Sequence, residues 1–416
     1  MGARLGVLAQ AGKGAPLPWR CEMAAESKTG AAGTLVRSSG LPDVTIVAND
    51  IGPVGGMERQ LTGLIVGLRA LGHRVTVVAR TCELPPGVEV EFHRVIGPRR
   101  PFVLAHLWFL LAGTLVARRN RRGIVQANGA VVLNRVDVAA VHYCHQVGPT
   151  TASRATRLYR AHVRLASLLK RRGEGPTYRL NDPAVFVGVS EGVADEMREH
   201  HPWLAERVTA IHNGVDTEAF APGARRDEAR AAREELGLGP GALVAVFVGG
   251  EWGRKGLEPA IRALASAPDW TLLVVGDGDV QRYRRLADEL RLGSRVRWLG
   301  VSSDVALIYQ SADAFVLPSS YETFSIVTFE AAASGLPVLA TPVSGVRELL
   351  QDGENGYVIT REPNLIAERL NKLGADPALR ARLGVAARES ALGYSSGRMV
   401  QRYHDLYMRL AARARA

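Results

Sequence analysis

From Asp43 onward, short apolar runs alternate with longer amphipathic segments. Val44-Thr45-Ile46-Val47-Ala48 has strand length and β-branched character. After the turn Asn49 to Gly56, apolar residues recur at helical spacing from Met57 to about Leu71, and Gly72-His73 closes that helix. Arg74 to Ala79 returns as a strand. Further strands are predicted at Gly123 to Ala127, Val136 to Val141 and Ala184 to Val189. A polar, charged stretch from Arg207 to Pro240 interrupts the pattern. It restarts at Val244 to Val248 and continues through Leu272 to Val275, Val296 to Leu299, Ala314 to Leu317 and Val338 to Ala340. Such alternation predicts an α/β fold with parallel sheets, and the restart predicts two doubly wound domains, 41–206 and 207–394. Residues 1–40 show neither period and are expected to be a disordered basic tail. Residues 395–416 are expected to be a helix returning to the first domain. In such folds, ligands bind at the carboxyl ends of the strands.

Composition narrows the class without choosing a ligand. With 416 residues and 47% apolar content, each domain can bury a core. Three scattered cysteines, Cys21, Cys82 and Cys144, argue for a reducing compartment and against disulfides or structural zinc. The start of the chain lacks a convincing signal peptide. A net charge of +11 admits nucleic acid, an anionic membrane or an anionic substrate. No nucleic-acid-binding module accompanies it. Arg99-Arg100 and Arg118, Arg119, Arg121 and Arg122 bracket an apolar run from Pro101 to Leu111. A buried core helix is the simpler reading of that run. A second basic series, Arg154, Arg157, Arg160, Arg164, Lys170, Arg171 and Arg172, recurs at helical spacing, so a peripheral contact with anionic lipid is the alternative.

The chemistry concentrates in Pro318-Ser319-Ser320-Tyr321-Glu322-Thr323-Phe324-Ser325-Ile326-Val327-Thr328-Phe329-Glu330-Ala331. Pro318 ends a buried strand, and a helix is predicted from Phe324 or Ser325 to Ser334-Gly335-Leu336-Pro337. Unpaired N–H groups at such a start seat a phosphate, with one carboxylate before the seat and one within the helix. Two glutamates eight positions apart, the second followed by Ala and then by Gly-Leu-Pro-Val, resemble the donor signature of retaining glycosyltransferases of family 4. The resemblance implies the GT-B architecture, two Rossmann-like domains facing a central cleft, with the first on the acceptor side and the second binding a nucleotide sugar. It assigns Glu330 to the nucleotide ribose, Glu322 to the donor sugar and the amides of Phe324, Ser325 and Ile326 to the diphosphate. Thr323 and Ser325 depart from the family, which often has glycine at both places.

Gly249-Gly250-Glu251-Trp252-Gly253-Arg254-Lys255-Gly256 follows the strand that opens the second domain. Its glycines admit a ligand to the backbone, and Arg254 and Lys255 offer fixed positive charge to a leaving diphosphate. Where the family places an arginine this chain has Gly250, so Arg254 is expected to serve instead. Gly55 and Gly56 resemble the family's N-terminal glycine loop. His145, or else His142, fits its cleft histidine. Asn213-Gly214-Val215-Asp216 resembles the interdomain turn, and Asp277-Gly278-Asp279 reads as a turn. No metal ligand and no cofactor are expected.

The reading is therefore a cytoplasmic hexosyltransferase, with peripheral attachment to the inner face of a membrane as a hypothesis beside it. It would move a sugar from a UDP- or GDP-linked donor to a hydroxyl of a glycan or lipid-linked acceptor, with retention. An inactive nucleotide-sugar-binding relative and a sugar-nucleotide epimerase are the alternatives.

Overall fold

The computed structural model describes residues 40–53, 55–147 and 157–415. Residues 1–39 of the expected tail and Arg154 lie outside them. The described chain forms two compact units, 40–214 with 396–415, and 215–395.

The first unit is built on a seven-stranded parallel sheet. Its strands are β1 (Val44–Val47), β2 (Val75–Ala79), β3 (Glu91–Arg94), β4 (Ile124–Asn128), β5 (Val138–Val141), β6 (Val185–Gly188) and β7 (Val208–Ala210), in the order 3-2-1-4-5-6-7. All pairings are parallel. This is the doubly wound order, with its crossover between β1 and β4. The sequence pattern missed β3 and β7. β3 alternates half-buried with exposed residues at the sheet edge, and β7 has three residues. Since β7 pairs with β6, the first unit runs on to Gly214, beyond the boundary expected at 206.

Helix α1 (Gly56–Ala70) presents Leu61, Leu64, Ile65 and Leu68 to the core, each worth roughly 1.5–3 kcal/mol on burial. Gly72, at φ 92°, lets the chain turn back after it. Helices α2 (Phe102–Asn120) and α3 (Arg157–Asn181) follow. Helix α2 is a surface helix, which corrects the core-helix reading. Only Ala105, Phe109, Gly113 and Ala117 are buried, a stripe at i, i+4, i+8, i+12. Phe102, Leu104, Leu107, Trp108, Leu111 and Leu115 are exposed. It is long and apolar enough to cross a membrane by length and composition alone.

The second unit carries six parallel strands, β8 (Leu243–Val248), β9 (Trp270–Val275), β10 (Val296–Gly300), β11 (Ala314–Leu317), β12 (Val338–Ala340) and β13 (Gly356–Val358). Their order, 10-9-8-11-12-13, repeats the arrangement of the first sheet. Helix α4 (Ile326–Ala333) follows β11 and begins at the carboxyl edge of the sheet. Helix α5 (Ser396–Arg415) belongs to the first unit and packs Met399, Val400, Tyr403, Leu406, Tyr407 and Leu410 onto the core beside α1. Gly67 of α1 makes this possible, because a Cβ there would lie 2.3 Å from a Val400 methyl.

Candidate active site

In the second unit, two loops leave the sheet at neighbouring strands β8 and β11 and meet. After β8 the backbone passes through Gly249 at φ 137°, where a Cβ would lie 2.5 Å from the Lys255 side chain. Glu251 is left-handed at φ 47° and starts the single turn Trp252–Lys255. Gly256, at φ 82°, leaves no room for a side chain, since a Cβ would sit 2.0 Å from the Pro318 carbonyl oxygen. These glycines press the Arg254-Lys255 turn against the loop after β11.

Three of the expected residues converge there. Lys255 Nζ donates to Glu322 Oε1 at 2.8 Å, Arg254 approaches the same oxygen at 3.2 Å, and the Ser319 hydroxyl donates to it at 2.9 Å. Glu322 is 8% exposed and Lys255 also 8%. Burial pushes the Glu322 carboxyl up, but Lys255, Arg254 and Ser319 outweigh it and hold it below its ordinary value. Burial also acts against the Arg254 cation, and Glu322 with Glu251 more than restores it. Arg254 further donates to the Tyr321 carbonyl and pairs with the more exposed Glu251 at 2.9 Å. The cluster is a fixed, ionised array of two cations around one carboxylate. Sequence reasoning missed Ser319 and Glu251, since a serine after proline and a turn glutamate have no signature of their own.

Beyond Glu322 the chain enters α4. Ser325 is left-handed at φ 67° and stands at the N-cap, and Ile326 is the first helical residue. The N–H groups of a first helical turn have no acceptor within the helix. The Phe324 ring is in the core, stacked on Phe329 at 4.1 Å, so the ring itself does not meet a ligand. Ser325 Oγ shares a hydrogen bond with Thr328 Oγ1 at 2.8 Å. Glu330 is 4% exposed, and the Tyr309 hydroxyl donates to it at 3.4 Å. Gly345, at φ 76°, closes on the Phe324 carbonyl, where a Cβ would come within 2.2 Å. Gly250 has ordinary space and no positive φ, so its identity is not forced by packing. Asp279 caps the helix Val280–Glu289 through the Arg282 N–H at 3.0 Å, and a Cβ at Gly278 would strike the Trp252 ring. That segment is a structural turn.

In the first unit, His142 and His145 line a cavity of about 670 Å³ with Asp50, Glu58, Arg80 and Lys170. Gly55, at φ 94°, caps α1 and Gly56 opens it. Burial drives His145 down to about 3, helped by Lys170, His106 and Arg171, and burial alone takes His142 to about 4. Both rings are therefore neutral at pH 7.

Two family profiles match the chain: "Glycosyltransferase Family 4" over residues 54–219 and "Glycosyl transferases group 1" over 228–390. The D-inositol 3-phosphate glycosyltransferase of Corynebacterium glutamicum is 32% identical over 241 residues, 55% of this chain and 57% of that protein. The match thus spans little more than half the length of that relative. The Streptomyces bingchenggensis protein of the same name is 28% identical over 403 residues, covering 86% of this chain and 85% of its own. Among solved structures, WaaG, a glycosyltransferase involved in lipopolysaccharide biosynthesis, superposes with a TM-score of 0.71 at 22% identity, covering 87% of this chain and 99% of its own. Anabaena HepE in complex with UDP and glucose gives 0.69 at 20%, covering 88% and 99%. With one profile matching each unit, and each unit built on a doubly wound parallel sheet, the chain belongs to the family 4 glycosyltransferases of the GT-B fold.

Proposed function

We propose that this enzyme transfers a hexose-type sugar from a UDP-sugar to a hydroxyl of a membrane-associated glycan or lipid-linked acceptor, with retention and without a catalytic metal. The observation that carries the reading is the buried Arg254–Lys255–Glu322 cluster beside the start of α4. As the anomeric carbon–oxygen bond breaks, charge builds on the departing diphosphate. Lys255, Arg254 and the first-turn amides of α4 are already oriented to stabilise it. The acceptor oxygen attacks the anomeric carbon on the face the diphosphate leaves, and its proton passes to a departing phosphate oxygen. Glu322 keeps both cations in register and faces the sugar, and Glu330 takes the ribose hydroxyls. Glu251, the more exposed partner of Arg254, is the group a diphosphate displaces. The HepE complexes with UDP and UDP-glucose favour uridine as the base.

In the first unit, neutral His145 offers a hydrogen bond to the transferred sugar. The cavity beside it joins charged groups, Lys170, Arg172 and the Arg80–Asp50 pair, to the apolar Phe102, Leu107 and Leu169, which suits a polar acceptor carried on an apolar stem. Attachment to the inner face of a membrane follows from the same reading.

Thermal unfolding with UDP, GDP, ADP and CDP tests the donor site. UDP at a hundred times its dissociation constant is expected to add about 2.7 kcal/mol, a rise of several degrees, and Glu330→Ala is expected to lose it. No shift with any nucleotide, or an undiminished shift in Glu330→Ala, overturns the assignment.

A further inference from the structure

His142 and His145 suggest no metal site from the sequence, because no second ligand type stands at the right spacing beside them. The fold instead gathers three other residues. Cys144 lies in the turn after β5, Glu174 on α3, and His201 at the end of the helix Glu191–His200. Their ligating atoms all fall within 4.8 Å of one another. Their exposures are 0%, 2% and 5%. Thirty residues separate the first pair and twenty-seven the second, so no spacing motif announces them.

We propose that Cys144, Glu174 and His201 form a buried site for a thiophilic divalent cation, zinc foremost, that fixes the loop carrying His145. This does not depend on the donor reading. Three observations support it.

The first is a distance. His201 Nε2 and Glu174 Oε2 are 3.4 Å apart. A charge-assisted hydrogen bond between such groups runs to about 2.7–2.9 Å. Nitrogen and oxygen bound to one tetrahedral zinc at about 2.0–2.1 Å stand roughly 3.3–3.4 Å apart. The pair is too far for a strong hydrogen bond and at the right span for two ligands of one ion.

The second is charge. Glu174 is deeply buried, and its other hydrogen bond, from the His145 N–H, is also long at 3.3 Å. Burial lowers the pKa of Lys170, one turn earlier on α3, and Glu174 opposes that shift only in part. A thiolate, a carboxylate and a neutral imidazole together carry two negative charges, which a divalent ion cancels.

The third is access, since Glu174 lines the 670 Å³ cavity.

Thiolate with imidazole and carboxylate selects zinc over calcium or magnesium, which take oxygen ligands. Because Glu174 also accepts from the His145 amide, an ion here would hold the backbone that presents the candidate sugar-side histidine.

The test uses the full chain purified without a metal-affinity tag. The double variant Cys21→Ser/Cys82→Ser leaves Cys144 as the sole cysteine. Metal content after dialysis is expected at about one zinc per chain in the wild type and the double variant. Cobalt replacement is expected to give a near-ultraviolet thiolate charge-transfer band with tetrahedral visible bands. Cys144→Ser and His201→Gln are expected to lower bound zinc at least tenfold. Should those variants not fold, the cobalt spectrum of the double variant decides. A metal-free wild type, a double variant without the thiolate band, or zinc retained by folded Cys144→Ser overturns the proposal. In that event the three side chains form an ordinary hydrogen-bonded cluster.

Discussion

At the scale of single residues, Lys255 separates binding from catalysis most sharply. Its ammonium and Glu322 carboxylate are both about nine-tenths buried and 2.8 Å apart. Lys255→Ala removes charge from the position where the leaving group gains it. Turnover is expected to fall about a hundredfold or more. Arg254 and Ser319 still hold Glu322, so the stability cost should stay at roughly 1–3 kcal/mol instead of the larger loss of an orphaned buried charge. Steady-state kinetics beside thermal unfolding checks this. A variant with unchanged kcat and only a lower Tm would make Lys255 structural. The residues that form this cluster were legible because each sits in a short motif at the end of an apolar strand. Their clamp was not. That Glu322 binds Lys255 depends on how two loops 67 positions apart are pressed together, through backbone at Gly256 and Pro318. Cys144, Glu174 and His201 were illegible for the same reason: only the sheet and α3 bring them together.

At the scale of elements, the long, strongly apolar strands were read closely, and β11 and β12 match the sequence expectation residue for residue. The short edge strands β3, β7 and β13 were not read, because three or four residues with mixed exposure carry no period. Helix α2 misled through composition, since an apolar run has the same letters whether its faces are covered or bare. Helix α5 illustrates what patterning cannot show. His73, fully buried after α1, meets the Pro42 carbonyl through Nδ1 at 2.9 Å and His404 of α5 through Nε2 at 2.9 Å. Burial lowers the His73 pKa, and the His404 ring adds to this against the opposing pulls of Pro42 and Asp43. The unfolded chain therefore takes up a proton below about pH 6.5 that the folded chain resists. The stability contributed by neutral, buried His73 is complete above pH 6.5 and is lost as pH falls below it. All ten histidines lie in the first unit, so its unfolding transition is the one expected to move. Calorimetry should show it lower at pH 5.5 than at pH 7.5, with His73→Gln flattening the dependence. An equal slope in the variant would remove His73 from the cause.

At the scale of the whole molecule, charge is divided between the units. Residues 215–395 hold 20 Lys and Arg against 24 Asp and Glu, a net of −4. Residues 40–214 with 396–415 hold 27 against 15, a net of +12, and residues 1–39 add +3, which gives the +11 of the full sequence. A protein that needed positive charge only for its nucleotide would concentrate it in the second unit. Here the excess lies on the unit that also exposes the apolar side of α2. Leu165, Leu168 and Leu169 of α3 are exposed as well, and Lys170 of α3 lies over the Phe102 ring of α2 at 4.6 Å. Apolar side chains beside arginines are the combination by which a helix rests in the headgroup region, each basic residue adding about 1 kcal/mol on an anionic surface. The proposed membrane contact therefore predicts cosedimentation with phosphatidylglycerol vesicles at low salt, weakening as ionic strength rises. Leu111→Glu with Leu115→Glu places charge on the exposed face, away from the buried stripe. Binding should fall about tenfold or more while the thermal transition and the response to UDP stay as in the wild type. Vesicle binding that is indifferent to the double substitution would leave only diffuse attraction by the basic unit. No binding at low salt would mean that the bare face of α2 meets no membrane.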